Sequence, residues 1–194
     1  MTKTLHPGVD LPLDGPHWSF VVQLYGRPGV SDACLWLQDR LGVDVNLLLL
    51  VVYAASEHRI SFSQLELLEL DRAAGEWRSE VIMPLRSIRR MLKRGPSPAP
   101  CNETEALREL VKTAELRAEQ IAQATLAVCI SRKAPAVGLQ TVAIGDAVRN
   151  VIDLFKSRHG LHLDEADCGK EEAAVQAILL GANNRSASRA ETTD

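Results

Sequence analysis

A chain of 194 residues that is 46% hydrophobic and 24% charged is too apolar to be a disordered segment and is sized for one domain, or one with an appendage. Aromatic residues are only 4%, so Leu, Ile, Val and Ala must fill the core, which favours helices over a β-sandwich. The net charge of -3 excludes attraction of the whole surface to nucleic acid or to a membrane.

Four cysteines, Cys34, Cys101, Cys129 and Cys168, are widely spaced with no C-x-x-C pair, which reads as reduced thiols in a cytoplasmic protein. The first fifteen residues lack the basic and apolar regions of a signal peptide. The longest apolar run, 45–55, falls well short of the roughly 20 residues of a membrane span. It reads as a buried helix.

In chain order, Pro7, Pro12 and Pro16 make 1–16 an irregular lead-in. A first helix is expected over 17–27, with Trp18, Val21, Val22 and Tyr25 on one face. A second is expected over 32–41, capped by Ser31 and ended by Gly42 in a left-handed conformation. Asp44 caps a third, 45–56, apolar nearly all round and therefore central. Ser61 and Gln64 have capping-box spacing before a fourth helix that turns Phe62, Leu65, Leu68 and Leu70 inward and breaks at Gly75. A fifth, 76–93, contains Pro84, which kinks or splits it.

The proline-rich run 95–101 divides the chain into an N-terminal half, 17–94, and a C-terminal half, 102–182. Asn102 with Glu105 opens a long helix to about 130, with Leu107, Leu110, Val111, Ala114, Ala118, Ile121, Thr125 and Val128 as its apolar stripe. Helices over 139–158 and 164–180 follow, and 183–194 reads as a disordered tail. The fold class is all-α: a multi-helix bundle with a Pro-rich linker between its halves.

Two constellations carry chemistry. Gln38, Asp39, Asp44 and Asn46 form a polar corner between two apolar helices. Asp39 and Asp44 around a divalent metal give the one enzyme reading. Unlike the aspartate-rich helices of isoprenoid synthases, however, they come without a second acid cluster. Capping and satisfaction of buried backbone groups explain the corner better. Arg86, Arg89, Arg90, Lys93 and Arg94 form a basic stripe, extended by Arg78, with no acid over 84–95. Its uses are docking of an acidic protein partner, binding of a phosphate-bearing ligand or RNA, or pairing with acids such as Glu66, Glu69 or Asp71 of another helix. No aromatic residue accompanies the stripe to stack a base. His159, His162, Asp164 and Cys168 match no tight metal-binding pattern, and nothing calls for a cofactor. Trp18, Tyr25 and Trp77 read as core anchors. The expected role is a non-enzymatic interaction module. The long helix closes on the N-terminal core or on a second subunit, as in a homodimer.

Trp18, Phe20, Leu24, Tyr25, Gly29 and Val30, the run from Cys34 to Asp39, then Gly42, Asp44, Val45, Asn46, Leu48 and Leu49, and finally Trp77, Arg78, Pro84, Arg86, Arg89 and Arg94 carry a likeness. Together they resemble a family of short proteobacterial proteins catalogued as a domain of unknown function. The likeness covers 18–94, reaches weakly into the following helix and stops near 130. It implies a bacterial cytosolic helical protein and supplies no activity or ligand.

Overall fold

The computed structural model describes residues 12–93, 101–131 and 143–190, without the side chains of 131 and 184–190. It is an all-α bundle of α1 (Pro16–Tyr25), α2 (Val30–Leu41), α3 (Val45–His58), α4 (Gln64–Trp77), a π turn (Arg78–Ile82), α5 (Met83–Leu92), α6 (Cys101–Ser131), α7 (Ile144–His159) and α8 (Glu165–Ala190). No helix among the described residues is long and apolar enough to cross a membrane. The proline-rich linker, and with it Arg94, lies outside the described residues.

Helix α3 is the axis of the molecule, as its all-round apolarity predicts. Leu47 through Val52 are all buried, and α1, α2, α6 and α7 surround them. Asp44 caps it as expected, accepting from the backbone N–H of Asn46 at 2.8 Å and of Leu47 at 3.1 Å. Gly42 ends α2 with φ +71°, the left-handed conformation that favours glycine. Helix α8 packs along α2, and Gly181 there is a close approach: a Cβ would meet the Val30 side chain at 2.7 Å.

Several local expectations need correction. Helix α2 begins at Val30, two residues earlier than a Ser31 cap allows, because left-handed Gly29 provides the entry. The capping box of α4 is Ser63 with Glu66, both reciprocal bonds present, and Gly75 does not interrupt the helix. In α1 the buried face is His17, Phe20, Val21 and Leu24, while Val22 is exposed. In α4 it is Leu67, Leu70, Asp71 and Ala74, while Leu65 is exposed. Asn102 lies inside α6, and α8 continues past Asn183 to Ala190 where a disordered tail is expected.

Pro84 acts as its chemistry requires. It has no N–H for the carbonyl of Glu80, and in a regular helix its ring collides with that carbonyl. The turn just before it widens to π geometry, with the Met83 N–H donating to the Arg78 carbonyl. The chain therefore passes from α4 into α5 without a break. Helix α5 then runs antiparallel to α6: Ile82 packs with Ala118 and Ala122, and Arg89 meets Glu115. Trp77 anchors this hairpin, its indole N–H donating to the Ala118 carbonyl at 3.0 Å.

The largest correction concerns α6. Leu107, Leu110 and Ala114 are exposed, whereas Glu115, Ala118, Ala122, Leu126 and Ile130 are buried. The helix turns a face bearing Glu115 to the protein and part of its leucine stripe to solvent.

Candidate functional site: an inward-turned arginine face

The basic stripe and the polar corner meet. Arg86 reaches from α5 into the angle between α2 and α6. Its Nε donates to Glu115 Oε1 at 3.0 Å, one Nη to Gln38 Oε1 at 2.7 Å and the other to Glu119 Oε1 at 2.8 Å. Arg89, one turn on, donates its Nε to the other oxygen of Glu115 at 2.5 Å. Glu115 is thus held by two guanidinium groups, and its side chain is only 7% exposed.

Arg78 forms a second centre from the π turn. Its guanidinium bridges the N-cap of α3 and the buried face of α4, pairing with Asp44 and, at 2.9 Å, with Asp71. Asp71 also pairs with Arg158 of α7, tying α4 to the C-terminal half. Asn46 accepts from the Gln123 amide of α6 through its backbone oxygen at 2.8 Å. Of the corner residues Asp44 satisfies backbone N–H groups, whereas Gln38 accepts from a guanidinium and Asn46 from a side-chain amide. Asp39 does not belong to the corner: it is 66% exposed, with Arg90 3.9 Å away.

The electrostatics of the centre are asymmetric. Burial works to raise the Glu115 pKa, but hydrogen bonds and charge from Arg89 and Arg86 outweigh it and hold the carboxyl below its ordinary value. Glu119 goes the other way. Burial raises it, Arg86 only partly opposes this, and the neighbouring Glu115 charge adds to the rise. The Cys34 thiol, buried nearby in the core, is pushed up to about 12 by desolvation.

The stripe thus divides. Arg78, Arg86 and Arg89 face inward on carboxylates, while Arg90 and Lys93 remain exposed along the edge of α5 beside α2. The expectation of pairing with acids on another helix holds for Asp71. The main acids are Glu115 and Glu119, one turn apart on α6, which the sequence does not single out from its other charged residues. An α5 free of acids was the signal that its counter-charges lay elsewhere in the chain. Asp39 and Asp44 do not converge, and among the described residues no group of three or more His, Cys, Asp or Glu side chains is placed to hold a metal. His159 instead closes α7 beside Gly42.

No curated protein and no solved structure matches the chain. The family model described as "Protein of unknown function (DUF2390)" matches residues 16–126, a stretch that holds the π turn, the arginine face and both of its carboxylate partners on α6. The chain belongs to the DUF2390 family.

Proposed function

We propose that this protein is a non-enzymatic interaction module of the cytoplasm that docks an acidic protein partner along the exposed edge of α5. The observation that carries the reading is the division of the arginine stripe. Three guanidinium groups are neutralised inside, and what remains outside is a small cationic edge of Arg90 and Lys93 on a helix without acids. The buried carboxylates fix that helix in place, so the edge is a rigid presentation of charge rather than a mobile one. Four free cysteines fit a reducing compartment.

The engagement of Arg86 and Arg89 weighs against a phosphate-bearing ligand or RNA, whose recognition needs free guanidinium forks. The exposed position of Asp39, apart from a capping Asp44, weighs against a metal-dependent enzyme built on that pair.

The test is charge reversal at the two exposed positions. Arg90→Glu with Lys93→Glu should abolish capture of the acidic partner and leave the melting temperature within about 2 °C of the parent, since surface changes are small. Partner capture that survives the double reversal contradicts the reading. Reversal of Arg86 or Arg89 is not an equivalent test, because those side chains hold the fold.

A further inference from the structure

The α5–α6 hairpin is polarised in reverse. Arg86 contacts Gln38 of α2, and Glu119 contacts Arg86, so the charged flanks of both helices lie on the side of the bundle. Helix geometry then sets the opposite flanks together on the solvent side: Ile88 and Met91 of α5, and Leu107, Leu110 and Ala114 of α6. All are exposed, Leu110 the most at 69%. A two-helix apolar face of this kind is unusual on a monomer surface and marks a contact site.

Charge on that face says what covers it. Glu103 and Arg117, both exposed, lie on the same flank of α6 as Leu110, seven residues before it and seven after. A second copy of α6 laid antiparallel, with the twofold axis at Leu110, sets each Glu103 against Arg117 of the other copy. Leu107, Leu110 and Met91 of both copies then form the centre. The pattern is self-complementary, as an isologous interface requires. Arg117 donates one Nη to Gln120 at 3.0 Å, a surface contact that leaves its other donors for the pairing.

We infer that the outer face of the α5–α6 hairpin is a homodimer interface, two hairpins closing into an antiparallel four-helix bundle with its axis at Leu110. This uses the flank opposite to Arg90 and Lys93, so it stands or falls separately from the docking of an acidic partner. Both edges stay free in the dimer.

The experiment is sedimentation equilibrium of the full chain. The parent should be dimeric at micromolar concentration. Leu110→Glu should be monomeric there, with an unchanged far-ultraviolet spectrum. Glu103→Arg alone and Arg117→Glu alone should each weaken association about tenfold by placing like charges opposite one another. Combining the two should restore the parent affinity. A parent that stays monomeric to roughly 100 μM, a concentration at which a weak specific dimer is populated, overturns the inference. So does a double reversal no better than either single one. The charge variants lie on exposed positions, so the result does not depend on whether Leu110→Glu folds.

Discussion

Glu115 and Glu119 are one turn apart on one helix and share Arg86, yet their environments push them in opposite directions. Glu115, held below its ordinary value of 4.5, contributes stability that is present above that pH and lost as pH falls through its folded pKa. Glu119, raised above 4.5, contributes with the opposite sign, and its share is lost as pH rises through its folded pKa. Glu115→Gln should therefore cost about 3 kcal/mol at pH 7, as for a broken buried pair, and Glu119→Gln less than about 1 kcal/mol. Urea unfolding of the two variants measures this directly. A second residue carries a pH signature near neutrality. His17 is buried against Tyr53 with no hydrogen-bond partner for Nε2 among the described residues, and burial holds its pKa below 6.5. The unfolded chain takes up a proton there before the native one does, so stability falls as pH drops from 6.5 toward the lower folded value. His17→Phe should flatten that part of the stability profile between pH 7.5 and 5.5, with both end points read from urea midpoints.

Among the elements, the caps at Gly42 and Asp44 were legible, while those of α2 and α4 and most of the faces were not. Gly42 and Asp44 act through backbone geometry and a single hydrogen bond, which one residue type is enough to signal. Gly42→Ala should cost about 1–2 kcal/mol, because φ +71° is strained for a side chain and His159 Nε2 stands 3.1 Å from the new Cβ. Gly160→Ala shares the strain, at φ +57°, but meets open space, so its cost should be the smaller of the two in the same thermal melts. The faces of α1, α4 and α6 escaped the periodicity for one reason. Each buries polar groups that the pattern assigns to solvent: His17, Asp71, and Glu115 with Gln123. Paired as they are, Asp71, Glu115 and the Gln123 amide are admitted to the interior, while Leu65, Leu107 and Leu110 come to the surface. Pro84 announced a disturbance, and the tertiary pull of Arg78 onto Asp44 and Asp71 accounts for a widened turn in place of a break.

At the scale of the molecule, the polar contacts join elements that are distant in sequence. Asp71 connects the π turn to α7, Gln38 connects α2 to α5, and Asn46 connects α3 to α6. The all-α class followed from composition, and the central place of α3 followed from its apolarity. The joining of the two halves rests on pairs up to 127 residues apart, Arg40 with Asp167 and Arg158 with Asp71, which no local pattern encodes. Everything proposed of the outer surface depends on one structural claim, that the arginine face of α5 is turned inward onto α6. The measurement closest to it is a double-mutant cycle of Arg86→Ala and Glu115→Ala, followed by urea unfolding at fixed protein concentration. The account predicts a coupling energy of about 2 kcal/mol, as for groups in one buried network. A coupling below about 0.3 kcal/mol, as for an exposed pair, would place the arginines in solvent and contradict it.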